Sequence, residues 1–295
     1  MRLLSFPLVV AVLLSAIGAQ AAVGDREVYI FRGTPLAQSG ISVGSWGSGK
    51  AIESADSSTV LTGSKSVKIT TQGLYAGART DFAQPVALFT EGIDPTRYLV
   101  FAFYFNDVQM IDPGAGTLYS YEIEPYTIPK AGLVRFVFVS DKGESVAVEE
   151  PTNPLDPDDN WCRIAVPLAK FKSAGATQEF RLKRLLIFTD LATTLYLGEI
   201  KMVTDDAPIK VDSLPGQVVI IYDEVLFAAK ATAGVSSLKY SWDYDASNGI
   251  QQETTGPLGR YVYIKGGEFT VTLTVSDADN LKQSVTVTAT VSVND

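Results

Sequence analysis

The stretch "LKYSWDYD", residues 238–245, decides how the C-terminal part of this chain folds. Successive side chains of a β-strand point to opposite sides, so Tyr240, Trp242 and Tyr244 share one face. The alternation predicts that these three rings enter a single core. A sugar-binding platform needs exposed rings, so we interpret Trp242 as the core tryptophan of a β-sandwich.

The acidic residues of the same stretch lie on the opposite face of the predicted strand. Asp243 and Asp245 are expected to point outward at the strand's end, where Asp side chains commonly cap a turn. A calcium site made of Asp243, Asp245 and Asp277 stays open as the alternative, because carboxylate oxygens are the ligands that calcium prefers.

Most of the remaining sequence has the period of two that is typical of strands. The segments "SVKITT" at 66–71, "FTVTLTVSD" at 269–277 and "SVTVTATVSV" at 284–293 alternate apolar with polar residues. Turns rich in Gly, Pro and Asp separate them. The fold class predicted is therefore all-β.

One segment, "RYLVFAFYFND" at 97–107, is apolar on both faces. A strand of this kind is expected at the centre of a sandwich. We expect one of its faces in the core and the other lining a partly covered groove.

The chain divides into three parts. The connector "VTDDAPIKVDSLPG" at 203–216 is acidic and contains proline, as domain boundaries often do. We predict a signal peptide at 1–21, a ligand-binding domain at 22–207 and a second domain at 208–295.

The N-terminus has the pattern of a secretory signal peptide. Arg2 precedes an apolar run at 3–17, and the small residues Ala19 and Ala21 then predict cleavage before Ala22. A membrane anchor would need roughly 20 unbroken apolar residues. We therefore expect a secreted protein without membrane insertion, located outside the cell, at the cell surface or in the periplasm.

Composition excludes several classes of function. The net charge of −9 opposes binding to nucleic acid, which requires a basic surface. The chain has no histidine, which removes Ser-His-Asp catalysis and ordinary zinc catalysis. Its one cysteine, Cys162, cannot form an internal disulfide and is interpreted as a buried thiol. Hydrolysis that uses only carboxylates stays possible.

The C-terminal part resembles a PKD domain, which is an immunoglobulin-like β-sandwich. The family pattern is a W-D-F-D-like strand, then Y-x-x-x-G, then an alternating F/Y-T-V-T-L-T-V-x-D strand. The resemblance covers 208–295, and the matching residues are Trp242, Asp243, Tyr244, Asp245, Tyr263, Gly267, the run 269–275 and Asp277.

Three motifs follow each other along the N-terminal part: Gly63, Ser66 and Val67 lie in the first, Trp161, Pro167 and Phe171 in the second, and Tyr196 and Ile200 in the third. This succession resembles the jelly-roll carbohydrate-binding modules of the galactose-binding-like superfamily. The resemblance covers roughly 25–205 and implies a jelly-roll β-sandwich that recognises a polysaccharide or another glycan.

The same resemblance implies where a structural calcium ion would be held, near the first and last strands. No cofactor is required by the predicted function, and a structural calcium ion stays open. The acidic residues at the corresponding places are Glu27, Asp56, Asp205 and Asp206.

A glycan site needs aromatic rings for stacking and fixed polar groups for the hydroxyls. In the alternative interpretation, Arg79 and Asp81 form an ordinary surface ion pair and Trp46 covers the core. The candidate ligand-binding residues are Trp46, Tyr75, Arg79, Asp81, Tyr104 and Arg135.

An enzymatic alternative rests on Glu122 and Glu124, which share a strand face in "YSYEIEPY". Acidic neighbours on one strand usually face water, so the chain is predicted not to be an enzyme. The predicted function is that of a secreted, non-catalytic carbohydrate-binding protein whose second domain is a spacer. The alternative is a structural or adhesive surface protein that contacts other surface proteins.

Overall fold

The structure is a computed structural model that describes residues 26–112, 124–173, 175–176 and 178–295. The predicted signal peptide lies outside the described residues, and so does Glu122. Within the described ranges, no helix has the length and apolar character needed to cross a membrane.

The N-terminal part of the described chain is made almost entirely of strands. Two short helices, α1 (Leu36–Ser39) and α2 (Ala169–Ser173), and a 3-10 turn at Ser57–Thr59 interrupt them. The strands are β1 (Glu27–Arg32), β2 (Ile41–Trp46), β3 (Lys50–Ser54), β4 (Ser66–Gln72), β5 (Gly77–Phe89), β6 (Arg97–Phe105), β7 (Val108–Ile111), β8 (Tyr126–Pro129), β9 (Leu133–Ser140), β10 (Ser145–Pro151), β11 (Cys162–Pro167), β12 (Phe180–Thr189) and β13 (Ala192–Thr204).

The C-terminal part consists of shorter strands and one 3-10 turn at Ala246–Asn248. The strands are β14 (Lys210–Val211), β15 (Gln217–Ile220), β16 (Glu224–Ala228), β17 (Ala231–Thr232), β18 (Leu238–Asp243), β19 (Thr254–Thr255), β20 (Leu258–Val262), β21 (Gly267–Asp277) and β22 (Val285–Asn294).

The first sandwich, formed by β1–β13, has two main antiparallel sheets. Sheet A has the order β11-β6-β13-β4-β3, and β1 also pairs with β13. Sheet B has the order β10-β9-β12-β5-β2, and β7 pairs with β8 in a separate hairpin. Strands that follow each other along the chain repeatedly pass from one sheet to the other, as they do in a jelly roll.

Large apolar side chains fill the space between sheets A and B. Phe101 on β6 and Phe136 on β9 stack with their ring centroids 4.4 Å apart. Phe171 on α2 contributes a third ring, which lies 5.0 Å from that of Phe138. All four side chains are fully buried. Because side chains alternate along each strand, the apolar residues of each sheet share one face, and that face points into this core.

The second sandwich is smaller and has its own core. One sheet has the order β15-β22-β21-β18-β19, and the pairs β16-β20 and β14-β17 form two further two-stranded sheets. Trp242 is 0% exposed and donates a hydrogen bond of 2.9 Å from Nε1 to the carbonyl oxygen of Gly256. Its ring stacks on that of Phe227. The prediction that Trp242 is a core residue is confirmed, and so is the all-β fold class with two successive sandwiches.

The expectation that Asp243 points outward is wrong. Its side chain is 1% exposed and accepts hydrogen bonds from the main-chain N–H groups of Asp245 and Gln251. These two donors replace the water that a carboxylate would otherwise need. Asp245 accepts from the N–H of Ser247 and caps the following 3-10 turn, as expected.

The second apolar face of β6 is covered rather than open. Tyr98 and Val100 form a small buried cluster with Ala165, and residues of the second sandwich, Val235 and Leu281, pack against it. The predicted groove is absent along this part of the described strand, because the second sandwich occupies the place.

Polar contacts reinforce this junction between the two sandwiches. Lys282 Nζ donates to Asp205 Oδ2 at 2.7 Å, and the N–H of Val235 donates to the same oxygen at 2.8 Å. Tyr98 Oη lies 3.0 Å from Ser236 Oγ. Gly234 has a φ of +63°, and a Cβ there would lie 2.2 Å from Asp205 Oδ1. A glycine is therefore required where the loop meets this carboxylate.

Candidate functional site

Five of the six predicted ligand-binding residues lie at the outer surface of sheet B. Arg79 and Asp81 on β5 point outward because Ala78, Thr80 and Phe82, which alternate with them, are buried. On the edge strand β2, Trp46 pairs with Gly77, which is the first residue of β5. We call this surface, with Tyr75 and Arg135, the outer face of sheet B.

Two aromatic rings stand at one end of this face. The Trp46 side chain is 39% exposed and that of Tyr75 is 72% exposed. Gly47 brings the two segments together: its φ is +59°, and a Cβ there would lie 3.3 Å from the Tyr75 carbonyl oxygen. The guanidinium carbon of Arg135 lies 4.9 Å from the centroid of the Tyr75 ring, a cation–π distance.

Charged side chains continue along the face from these rings. The carboxylate of Asp81 is shared by two guanidinium groups, with Arg79 Nε at 2.9 Å and Arg184 Nε at 2.5 Å. Arg135 Nη1 donates to Glu149 Oε1 at 3.1 Å. The predicted Arg79–Asp81 ion pair is therefore present, as part of a larger network.

Arg184 was missed by sequence reasoning. It lies on β12 opposite Asp81 on β5, but a bulge shifts the register between Leu182 and Arg184. Neither the pairing of strands a hundred residues apart nor the bulge is visible in the local sequence. The run "RLKRLLIF" shows only that basic residues are present on this strand.

An apolar floor lies between the charged groups. Leu186 and Phe188 on β12 face outward, because Leu185 and Ile187, which alternate with them, belong to the core. They are nevertheless only 5% and 2% exposed. Phe188 pairs with Arg135, so the arginine and the loop carrying Tyr75 lie where they can cover its ring. The floor gives this end of the face a fixed shape.

A depression of about 330 Å³ marks the other end of the face. Lys183 reaches it and donates to the carbonyl oxygens of Phe82 and Ala83, at 2.7 and 3.2 Å. The residues that line the depression include Leu36, Gly40, Ser42, Asp81, Phe82 and Lys183. The outer face therefore runs from exposed rings to a polar hollow.

The structure does not bring Tyr104 to this face. Tyr104 lies on β6 of sheet A, and its ring contacts those of Trp161 and Tyr196 with centroids 5.9 and 6.3 Å away. Sheet A is the opposite layer of the sandwich, so Tyr104 cannot contact a ligand bound beside Trp46.

Each of the four acidic residues predicted for calcium has another partner. The hydrogen bond from Lys201 lowers the pKa of Glu27, with a separation of 2.6 Å. Asp56 caps the 3-10 turn that follows it, Asp205 binds Lys282, and Asp206 pairs with Arg26 at 2.7 Å.

No group of three or more His, Cys, Asp or Glu side chains within the described ranges is placed to hold a metal ion. Asp277, from the alternative calcium set, accepts the N–H of Leu281 at 2.7 Å. Calcium binding therefore stays a prediction without a site among the described residues.

The other chemical candidates have structural partners. Asp156 and Asp159 of the acidic loop pair with Arg163, at 2.9 and 2.5 Å. Burial raises the pKa of the Cys162 thiol to about 11, so the thiolate needed for reactivity is scarce at neutral pH. Glu124 is exposed, and its predicted catalytic partner Glu122 lies outside the described residues.

A larger cavity, of about 710 Å³, lies in the second sandwich beside β15 and β16. It is lined by residues such as Gln217, Leu226 and Phe227. The ring of Phe227 is 1% exposed, so the cavity offers no accessible ring of this residue for stacking. We therefore place the candidate site on the outer face of sheet B.

Comparison with solved structures gives distant likenesses. The enzymatically active domain of tailspike protein 4 from bacteriophage CBA120 matches with a TM-score of 0.28 and 12% identity, over 55% of this chain and 19% of that one. The fibronectin(III)-like modules of Clostridium thermocellum CbhA match with a TM-score of 0.24 and 10% identity, over 65% and 88% of the two chains.

The M60 catalytic domain of Clostridium perfringens ZmpB, with its CBM51-1 and CBM51-2 domains, matches with a TM-score of 0.22 and 13% identity. That match covers 92% of this chain and 24% of the other. At such low scores these likenesses carry no argument about activity. No curated protein matches the sequence significantly.

The family comparison is specific for the second sandwich. Residues 206–293 match the family model of the PKD domain. The match spans β14–β22 and includes the buried Trp242, the capping Asp245 and the long hairpin of β21 and β22. Residues 206–293 therefore form a PKD domain.

Proposed function

We propose that this protein binds a polysaccharide outside the cell, or at the cell surface, through the outer face of sheet B. In this proposal the protein binds without catalysis. Residues 22–207 form the binding unit, and residues 208–295 form a spacer that is fixed against it.

The observation that carries the proposal is the pair of exposed rings, Trp46 and Tyr75, beside fixed polar groups on one surface. Sugar rings present apolar C–H faces that stack on aromatic side chains, while their hydroxyls need hydrogen-bond partners. Arg79 and Asp81 offer a donor and an acceptor next to the rings. The apolar floor of Leu186 and Phe188 supports the whole arrangement.

The junction between the sandwiches supports the spacer role. The buried Asp205–Lys282 pair and the cluster around Tyr98 hold the PKD domain on the outer side of sheet A. Sheet B lies on the opposite side of the first core. The proposed binding face is therefore left uncovered by the PKD domain.

The proposal is tested by screening the purified protein against an array of neutral and acidic polysaccharides. We expect binding to at least one polymer, and we expect Trp46→Ala and Tyr75→Ala each to weaken the signal. The absence of binding to every polymer, with a folded protein, would remove the proposed function.

A second candidate, an adhesive or structural role, rests on a different observation. Val218 and Ile220 are exposed on the edge strand β15, and Tyr222 is 69% exposed. The N–H of Tyr222 donates to the carbonyl of Tyr263, which places the exposed Ile264 nearby. Exposed apolar side chains on an edge strand favour pairing with a second copy of the chain. Light scattering after size exclusion would detect such a dimer, and Ile220→Lys should dissociate it.

A further inference from the structure

We infer that the outer face of sheet B selects polysaccharides whose sugar residues carry carboxylate groups, such as uronates. This inference rests on the proposed function, since it names the ligand class of the same face. The observation behind it is an excess of cationic side chains at this surface on an acidic chain.

The charge of the face is opposite in sign to that of the whole protein. In the ion pairs described for this face, Arg79, Arg135 and Arg184 share two carboxylates, those of Asp81 and Glu149. The ammonium of Lys183 adds a fourth positive charge beside the depression, and the hydrogen bonds described for it go to neutral carbonyl oxygens. Against the net charge of −9 for the chain, this local excess of two positive charges attracts an anion to one place.

The guanidinium groups already bind carboxylates here, which shows that their geometry suits this ligand. Asp81 lies between Arg79 and Arg184, at 2.9 and 2.5 Å. The side chains of Arg79 and Arg184 are still 41% and 39% exposed, so a ligand oxygen can reach them. Each guanidinium carries five N–H donors, and one carboxylate cannot accept all those of two arginines.

Two guanidinium donors of this face have no hydrogen-bond partner among the described residues. The Nε atoms of Arg79 and Arg135 are buried, and neither has a hydrogen-bond partner in the described structure. Arg79 Nε is close to Asp81 but lies off the hydrogen-bonding direction. A small rotation of either side chain toward a bound anion would satisfy the donor, and this favours an anionic ligand over a neutral one.

The exposed rings favour a ligand whose anionic group is carried by a sugar. Trp46 and Tyr75 stand at the end of the charged surface and can stack on a pyranose. A uronate residue offers both an apolar ring face and a carboxylate. A free inorganic anion would use the arginines alone, so substitution of Tyr75 distinguishes the two kinds of ligand.

The experiment uses matched pairs of polymers and isothermal titration calorimetry on the full chain. The acidic polymers are polygalacturonate, alginate and hyaluronate, and each is paired with its fully methyl-esterified form, which keeps the sugar rings and loses the charge. We expect at least one acidic polymer to bind more than tenfold more tightly than its ester at 50 mM salt. The difference should decrease as the salt concentration rises to 0.5 M.

Three variants locate the effect on this face. Arg184→Gln should weaken binding of the acidic polymer about tenfold, because it removes one charge-assisted contact. Asp81→Asn should raise the affinity for the acidic polymer relative to its ester, since it removes a competing negative charge and keeps a carbonyl oxygen that can accept from sugar hydroxyls. Arg163→Gln is the matched control: Arg163 is 38% exposed and also pairs with two carboxylates, but its partners are Asp156 and Asp159 in the acidic loop. It should bind as the wild type does.

The outcomes separate this inference from the proposed function. Equal or tighter binding of an esterified polymer would overturn the preference for carboxylates and leave polysaccharide binding in place. A tenfold loss of affinity for the acidic polymer in Asp81→Asn would also overturn it, because the negative charge of Asp81 would then favour the ligand and not compete with it. Failure of all three acidic polymers, while the array shows a neutral ligand, would overturn the inference alone. Failure of every polymer would overturn both.

Discussion

Lys282 Nζ donates a hydrogen bond of 2.7 Å to Asp205 Oδ2, and the two side chains are only 9% and 7% exposed. Lys282 belongs to the PKD domain, and Asp205 follows the last strand of the first sandwich. The buried pair therefore links the two sandwiches. Burial disfavours the charged form of Asp205, but hydrogen bonds from Lys282 and from the N–H groups of Val235 and Ala207 outweigh this and lower its pKa.

We predict that Lys282→Met destabilises the protein and weakens the coupling between its sandwiches. The substitution leaves the Asp205 carboxylate buried without its cation, which typically costs about 3 kcal/mol or more. Urea unfolding should show a lower midpoint and a separate transition for the PKD domain. Lys239→Met is the control, because Lys239 is exposed and donates to the Ala278 carbonyl. Equal midpoints for the two variants would contradict the prediction.

Glu150 should make stability depend on pH. Its partner Lys170 also pairs with Asp279 of the PKD domain, at 3.0 Å. Burial raises the pKa of Glu150 from its ordinary value of 4.5 to about 7, although the hydrogen bond from Lys170 opposes this shift. Between these two pH values the folded protein holds a proton that the unfolded chain releases. Stability should therefore decrease as the pH rises through that window, by at most about 3 kcal/mol from this group.

The variant Glu150→Gln isolates this effect, because Gln cannot ionise. Urea midpoints measured from pH 5 to pH 8 should fall for the wild type and fall less for Glu150→Gln. Glu149→Gln is the control, because the side chain of Glu149 is next to Glu150 in sequence but faces outward and is 47% exposed. The same decline in all three proteins would show that Glu150 does not titrate in this range.

A third prediction concerns the packing of the PKD core. A Cβ at Gly259 would lie 2.7 Å from the ring of Trp242 and 2.9 Å from Tyr244 Oη. Both side chains are fully buried and cannot move aside, so Gly259→Ala should destabilise the protein by about 1–3 kcal/mol. Gly44→Ala is the control, because its nearest neighbour would be Arg79 Nη2 at an ordinary 3.5 Å. Thermal unfolding that is equal in both variants would refute the close packing.

The local sequence correctly predicted the features of the fold that depend on the alternation of side chains along a strand. The period of two at 238–245 correctly placed Trp242 and Tyr244 in the PKD core. The same period in β5 placed Arg79 and Asp81 on one strand face. It could not show that Asp243 would be buried, because its compensating donors include Gln251, which lies beyond the next turn.

The arrangement of strands in space was beyond the sequence. Tyr104 and Tyr75 are both tyrosines that the sequence offers as ring-stacking candidates, yet they lie at opposite sheets. The chain crosses between the two layers after each strand or two, and the local sequence does not show this. The second face of β6 is apolar for the same kind of reason: Tyr98 and Val100 meet the PKD domain. An apolar face does not reveal whether a ligand or a neighbouring domain covers it.

The last prediction separates a binding role of the exposed rings from a structural one. Tyr75 is 72% exposed, so Tyr75→Ala removes little buried area and should change the melting temperature very little. Trp46 is 39% exposed, so Trp46→Ala also removes buried area and should lower the melting temperature more. If the rings stack on a sugar, each replacement should weaken binding to the polymer identified on the array by more than about 1 kcal/mol, or at least fivefold. Tyr222→Ala is the control, because Tyr222 is equally exposed, at 69%, but lies on the PKD domain. Calorimetry and thermal unfolding on the same preparations give both readouts. A loss of stability without a loss of affinity would mean that the rings cover the first core, as the alternative interpretation of Trp46 holds.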